Sequence, residues 1–268
     1  MSSRLITSLN HPWVKYARSL YRRHARYRER AFLVESPRVI GDALRMGIVP
    51  IALFVAAERS DRSVDDLIAL ARSRQTRLFS VSEPVFAHLS ETVTPQGTLA
   101  VFSFPDLPVV VPPGETPLVL LIDRVQDPGN LGTLLRSALG AGAHAVYVAP
   151  GTTDPFAPKV VRAAAGSHFS LPIRAVRWKS GDALLQGCAQ RVAASPYATR
   201  PYDEIDWTRP SVLLIGSEAH GLSAAAMAFA TEQVVIPLRG ALDSLNAAVA
   251  GSIILFEAAR QRRRAAPR

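Results

Sequence analysis

Cysteine is almost missing from the chain. Cys188 stands alone, which excludes a disulfide framework and any cysteine-based metal site. The six histidines are scattered without metal-ligand spacing, so no metal is expected. Long apolar runs are missing too: the most hydrophobic stretch, "LAVFSFPDLPVVVPPGETPLVLLID", is broken by Asp106, Glu115 and several prolines and is unsuited to spanning a bilayer. The opening "MSSRLITSLNHPWVK" lacks the apolar core of a secretion signal, and the expected location is the cytoplasm. There is no G-x-x-x-x-G-K-[ST] phosphate loop, and the surroundings of Ser217 lack the G-x-S-x-G spacing of a nucleophile elbow. Gly140, Gly142 and Ala145 do fit G-x-G-x-x-A. They close a helix where a dinucleotide fingerprint must open one, so they read as a cap and turn.

What the chain does have is positive charge in two places. The net charge of 268 residues is +9. Arg4, Lys15, Arg18, Arg22, Arg23, Arg26, Arg28 and Arg30 face only Glu29 among the first thirty positions, and Arg260, Arg262, Arg263, Arg264 and Arg268 follow Ala258 with no acid among them. The interval between is close to neutral. A GC-rich genome accounts for arginine over lysine but not for this placement, which suggests a polyanionic partner. From Pro12 to Tyr27, helical spacing sets Trp13, Tyr16, Ala17, Leu20, His24 and Tyr27 on one side and Lys15, Arg18, Arg22 and Arg26 on the other. The expectation is one amphipathic helix whose basic stripe is either a solvated face or a nucleic-acid contact.

Short apolar runs then alternate with helical patterns. "AFLVE", "IALFVA", "RLFSV" and "GTLAVFSF" read as strands, with helices over Pro37–Met46, around Val64–Ala71 and over Glu83–Leu89, giving a small α/β domain over residues 1–104. Residues 105–117, "PDLPVVVPPGETP", hold five prolines and form the linker. Residues 118–268 resume the alternation through "LVLLID", a helix over Leu131–Leu139, "HAVYVA", a helix near Pro158–Ala165, "QRVAAS", "SVLLIG", "QVVIPL" and a closing helix with an apolar stripe of Leu245, Val249, Ile253 and Phe256. All-apolar strands joined by helices indicate a parallel sheet covered on both faces.

Polar residues gather where three of these strands end: "DPGNLGTLLRSALGAG", "LLIGSEAHGLS" and "VVIPLRGALDSLNAAVAGSIILFE". Ligands of open α/β sheets bind at that edge. Singly, each has a dull reading as a turn, a helix cap or a helix N-terminus. Together they resemble the SpoU (TrmH) family of RNA ribose 2′-O-methyltransferases, of the knotted SPOUT class. Asn130, Gly132 and Arg136 match its first motif, Gly216, Glu218, Gly221 and Leu222 its second, and Ile236, Pro237, Gly240, Ser244, Leu245 and Asn246 its third. Through "FLVESPRVI" and "TPQGTLAVF" the first domain resembles the L30e-like substrate-binding domain of the ribosomal RNA members. Ser36 stands where the family usually has glycine, Leu238 where it has methionine and Asp243 where it has glutamate.

The resemblance implies S-adenosylmethionine as methyl donor, a trefoil-knotted catalytic domain and a homodimer with the closing helix near its interface. It implies a cofactor pocket walled by Ser195, Ile215, Gly216, Ser217, Ile236, Pro237, Leu238 and Leu245, with Gly216 giving the cofactor close approach to the backbone. It assigns activation of the ribose hydroxyl to Arg136, oriented by Asn130, Glu218, Ser244 and Asn246, with Lys159 and Arg162 clamping the target phosphate. A guanidinium is effectively always charged, so Arg136 is either an unusual transient base or a cation that stabilises the developing alkoxide. The implied substrate is structured RNA, foremost 23S ribosomal RNA. The rivals are a transfer RNA methyltransferase of the same family and a non-catalytic RNA-binding or ribosome-assembly protein on the same scaffold.

Overall fold

The computed structural model describes residues 5–58, 62–178, 182–240 and 243–265; Arg4 and Arg268 lie outside them. The chain divides into two compact units, Met1–Pro105 with Phe156–Phe169, and Asp106–Pro155 with Ser170–Arg268.

In the first unit, β1 (Ala31–Val34), β2 (Ala52–Ala56), β3 (Leu78–Val81) and β4 (Thr98–Ser103) form one sheet in the order β1-β4-β2-β3. β4 runs antiparallel to β1 and β2, while β3 is parallel to β2. Pleating sends alternate residues of these apolar strands to opposite faces. Ala31, Leu33 and Phe54 join Val14, Leu20 and Phe86 on one side; Phe32, Val34 and Leu53 join Ile40, Leu44 and Leu67 on the other. The covering helices are α3 (Pro37–Arg45), α4 (Arg62–Ser73) and α5 (Glu83–Leu89). Ser36, the family departure, caps α3 by accepting from the Val39 N–H.

The expected single basic helix is two, α1 (Pro12–Ser19) and α2 (Arg23–Glu29), because Arg22 adopts extended backbone between them. Arg26 is the reason the break is tolerated. Its guanidinium turns back and donates to the carbonyls of Leu20 (2.7 Å) and Tyr21 (2.8 Å), groups that a continuous helix would satisfy with its own N–H groups. At 3 % exposure Arg26 is buried, so it is removed from the exposed basic stripe. Arg18 is half-buried, paired with Glu91 at 3.1 Å and laid over the Tyr21 ring. Lys15 and Arg22 are exposed, as are His24 and Tyr27, which the helical spacing puts on the core side. Arg26→Gln should therefore cost about 2–3 kcal/mol of stability, read by denaturant unfolding, by leaving buried carbonyls unpaired. RNA affinity of the folded variant should stay at the parent value.

The second unit carries a six-stranded, wholly parallel sheet of order β10-β8-β9-β5-β6-β7. Its strands are β5 (Leu118–Ile122), β6 (Ala145–Val148), β7 (Ile173–Ala175), β8 (Gln190–Ala194), β9 (Ser211–Ile215) and β10 (Glu232–Val234). Its helices are α6 (Pro128–Gly140), α8 (Ala183–Gly187), α9 (Ala224–Phe229) and α10 (Ala247–Ala265). The short β7, α8 and α9 carry too little periodicity to be seen in the sequence. β10 stops at Val234, so "QVVIPL" is strand only in its first half and the rest leaves the sheet.

α6 begins at Pro128, capped by the Asp127 carboxylate on the Asn130 N–H (2.8 Å), which places Arg136 more than two turns into the helix. α10 buries Ala247, Ala248, Gly251, Ile254, Leu255 and Ala258. A Cβ on Gly251 would come within 2.5 Å of the Leu134 side chain, so α10 rests on α6 at glycine distance, and Ser137 and Ser252 share a hydrogen bond of 2.7 Å across the contact. The sequence stripe is therefore the other face: Val249 and Phe256 are exposed and Ile253 half-exposed.

α7 (Pro158–Ala164) follows β6 in sequence but belongs to the first unit, where Val161 and Phe169 complete the core around Phe32 and Phe102. Lys159 and Arg162 thus sit on a first-unit helix, both at least partly open to solvent. Among the described residues no helix is long and apolar enough to cross a membrane, and no cluster of metal-ligating side chains occurs.

Candidate functional site

β5 and β9 lie side by side at the middle of the parallel sheet, where the strand order reverses. A crevice opens at such a switch point, beyond the carboxyl ends of the strands. The segments that leave these two ends carry the first two polar motifs, and the N-terminus of α10 brings the third to the same place.

Glu218 joins them. Its Oε1 accepts from Asn130 Nδ2 (2.9 Å), Asn246 Nδ2 (2.5 Å) and the Ala247 backbone N–H (3.1 Å), and Asn246 Nδ2 also donates to Asn130 Oδ1 (2.9 Å). Asn246 meanwhile caps α10, its Oδ1 accepting from the N–H groups of Ala248 (3.0 Å) and Val249 (3.1 Å). The glutamate thus sits at the positive end of a nineteen-residue helix, where a carboxylate is favoured. One residue from each motif is locked to the other two.

Arg136 is not part of this lattice. Its side chain is exposed and has no hydrogen-bond or ion-pair partner among the described residues, so the guanidinium fork is free for a ligand. Ser244 likewise has an uncommitted hydroxyl among the described residues.

Beside the lattice lies a cleft of about 970 Å³. Ser195, Ile215, Gly216, Ser217, Ile236, Leu238 and Leu245 line it as anticipated, with Glu218 and Ser244; Pro237 does not. Asn130, Arg136 and Asn246 stand outside its lining, two of them tied to it through Glu218. Met227, Ala250 and Ile254 add apolar wall and Gln233 a polar group. Beyond Val235 the backbone of 236–239 makes no ladder hydrogen bonds among the described residues, leaving amides and carbonyls open to the cleft edge.

Gly216 has a second reason to lack a side chain, besides the expected close approach of a cofactor. A Cβ there would fall 2.4–2.6 Å from the backbone of Gly221 and Leu222, so its bareness serves a close crossing of the chain with itself. The Ser217–Gly221 loop is closed by reciprocal backbone bonds between its ends and by the Ser217 hydroxyl accepting from the His220 N–H (3.0 Å).

Arg124 and Asp123 support that loop from the end of β5. Arg124 occupies the left-handed region (φ 57°), uncommon for a side chain of its size, and donates to the carbonyls of His220 (3.2 Å) and Gly221 (3.4 Å). The buried Asp123 carboxylate accepts from the Ser223 N–H at 2.5 Å, one residue beyond the motif. Neither was anticipated. "DR" before a turn has no periodic signal; the only hint was a charged pair directly after an apolar strand.

Residues 117–256 match the SpoU rRNA Methylase family, and residues 11–100 match the MRM3-like substrate binding domain. Over nearly full length the chain is similar to the 23S rRNA (uridine(2479)-2′-O)-methyltransferase of Streptomyces viridochromogenes, with 36% identity covering 97% of this chain and 93% of the relative. It is similar to the 23S rRNA (guanosine(2553)-2′-O)-methyltransferase RlmP of Bacillus subtilis, with 33% identity covering 94% and 97%. The fold is shared with the AdoMet-bound rRNA methyltransferase from Sinorhizobium meliloti, at a TM-score of 0.81 and 34% identity over 99% of each chain.

Proposed function

The chain belongs to the SpoU rRNA methylase family, and from that premise we propose that it moves the methyl group of S-adenosylmethionine to a ribose 2′-hydroxyl of 23S ribosomal RNA. The observation that carries this reading is the Asn130–Glu218–Asn246 lattice beside the cleft. The cluster caps α10 through Asn246 and Glu218, and it also holds one polar side chain from each motif beside the cleft, next to the unpaired Arg136 fork.

The cleft suits the cofactor on its own terms. Ile215, Ile236, Leu238 and Leu245 offer apolar walls for an adenine, the open backbone of 236–239 offers donors and acceptors for its edge, and Ser195 and Gln233 add polar anchors. The bound cofactor supplies a methyl group already made electrophilic by its sulfonium. The protein's work is then to hold the ribose and favour its ionised hydroxyl. Glu218 and the two asparagines fix the wall of the site. Arg136 keeps its charge and stabilises the oxyanion as the hydroxyl passes its proton to solvent water at this exposed position, with its planar fork also available to a neighbouring phosphate.

The first unit is the RNA-gripping part, by its match to a substrate-binding domain and by the solvent-facing Lys15, Arg22, Lys159 and Arg162. A trefoil knot around the cofactor cleft and a homodimer complete the proposal. The outward stripe of Val249, Ile253 and Phe256 supports the dimer, since an apolar helix face in contact with water favours a partner. A cytoplasmic location accords with a ribosomal substrate.

Mapping 2′-O-methyl positions in ribosomal and transfer RNA with and without the gene tests the reading. Loss of one 23S site is expected; loss confined to transfer RNA would move the substrate, and no loss at all would return the protein to the non-catalytic class. Replacing Lys15 and Arg22 by Gln should lower the log–log salt slope of RNA binding by roughly 0.7–0.9 for each phosphate no longer neutralised, while cofactor affinity holds. An unchanged slope in the folded variant would take these two residues off the RNA surface.

A further inference from the structure

Four of the six tyrosines have an evident side-chain use, Tyr202 is half-buried, and Tyr197 has no side-chain partner among the described residues. Tyr16 packs edge-on against Trp13, Tyr21 donates to Glu35 and to the Leu89 carbonyl, Tyr27 stands against Phe104, Tyr147 is buried, and Tyr202 is half-buried with its carbonyl held by the Trp207 indole. Tyr197 is 92 % exposed, and neither its ring nor its hydroxyl has a partner among the described residues. It also lines the mouth of the cleft, together with Ser195 and Pro196.

The backbone beneath it is fixed. The Ser195 hydroxyl accepts from the Tyr197 N–H (3.3 Å), the Ser195 carbonyl accepts from Ala198 (3.3 Å), and the segment is anchored on both sides by bonds from Ser195 to Val234 and from Val235 to Arg200. Pro196 removes a further torsion. The result is an aromatic face held on a stiff turn, open to solvent, at the edge of the cleft. Such a ring contributes little to folding, because it buries almost nothing.

We propose that Tyr197 is a stacking platform for an unpaired nucleobase of the RNA next to the methylated ribose. The inference rests on the RNA methyltransferase reading. It concerns the RNA and not the adenine of the cofactor: a ring closed over the cleft would be shielded by the walls around it, whereas this one stands clear of them. The chemistry offered is a π face without charge, since Arg200, the cation of this segment, is committed to Glu232 and to the Glu204 carbonyl. Bases splayed out of a helix or loop stack on such rings with little regard to sequence.

The test is equilibrium binding of the full-length protein to unmodified, in vitro transcribed 23S ribosomal RNA at several salt concentrations, with Tyr197→Ala, Tyr197→Phe and the parent compared. Tyr197→Ala should bind about 5- to 150-fold more weakly, as removal of one base–aromatic stack implies. Because no ion pair is removed, its salt slope should equal that of the parent. Tyr197→Phe should bind as the parent does, and S-adenosylmethionine affinity and melting temperature should be unchanged in both. Equal RNA affinity for Tyr197→Ala overturns the proposal. So does a loss confined to cofactor binding, or a Tyr197→Phe as weak as Tyr197→Ala, which would give the role to the hydroxyl. Binding needs no turnover, so a parent protein that binds this RNA without methylating it counts against the enzymatic reading and leaves the stacking result standing.

Discussion

Arg136→Ala and Arg136→Lys should each lower methyl transfer by about 100- to 1,000-fold while S-adenosylmethionine binds as tightly as before. The expectation follows from where the residue sits. α6 buries Leu131, Leu134, Leu135 and Ala138 and turns Arg136 outward, outside the cofactor cleft and without a protein partner among the described residues. Removing it should therefore disturb neither the fold nor the cofactor. Lysine is the informative substitution, because it keeps the charge and loses the planar fork. Single-turnover rates alongside calorimetric cofactor binding would measure both quantities. Near-parental turnover by Arg136→Lys would mean that a point charge is enough and that the fork's geometry is irrelevant.

The second large effect is expected at Gly216. A methyl group there would meet the backbone of Gly221 and Leu222 at 2.4–2.6 Å, and backbone cannot step aside as a side chain can. Gly216→Ala should push the Ser217–Gly221 loop outward, at an overpacking cost of about 2–3 kcal/mol. The loop carries Glu218 and lines the cleft, so its displacement should also weaken cofactor binding. Melting of the cofactor-free protein distinguishes this account from simple filling of the cofactor's space. Crowding against Gly221 lowers stability before any cofactor is added. A variant with parental melting and abolished binding would show that the methyl group meets the cofactor instead.

Much of this molecule can be read from its letters because its core strands are long apolar runs bounded by proline, glycine and helix caps. The α5 boundaries follow from Glu83, Pro84 and an apolar face, and the parallel character of the second sheet from strands such as "LVLLI" and "SVLLI" that have no polar side. The three-motif site was legible because its members are polar residues placed where apolar strands stop. Three things were hidden, each for a physical reason. The split of the first helix depends on the Arg26 side chain reaching back to the Leu20 and Tyr21 carbonyls, whereas helical spacing assumes a continuous backbone. The membership of Phe156–Phe169 in the first unit depends on Val161 and Phe169 filling a core built from much earlier residues, which no local pattern encodes. The Arg124 brace depends on a left-handed backbone at a non-glycine residue, against local preference.

That second point alters how the protein can be dissected. A cut in the proline-rich 105–117 segment would strip Phe156–Phe169 from the Phe32 and Phe102 core in which it packs, so cofactor binding belongs on the whole chain.

Arg262 sets an order of events. Near the end of α10 its guanidinium donates to the carbonyls of Trp207 (2.8 Å), Arg209 (2.9 Å), Pro117 (3.0 Å) and Thr116, and burial lowers its pKa from the usual guanidinium value. These carbonyls belong to the approach to β5 and to the turn before β9, the two central strands. During synthesis the first of them leaves the ribosome 146 positions before the cation that satisfies it. At about 5–20 residues per second, that is a wait of roughly 7–30 s. The pair β5 and β9 is itself complete only at Ile215, and it stays without this clasp until Arg262 is made. A protein that modifies the ribosome's own RNA would thus complete its catalytic unit only once the last turns of α10 have emerged from a ribosome.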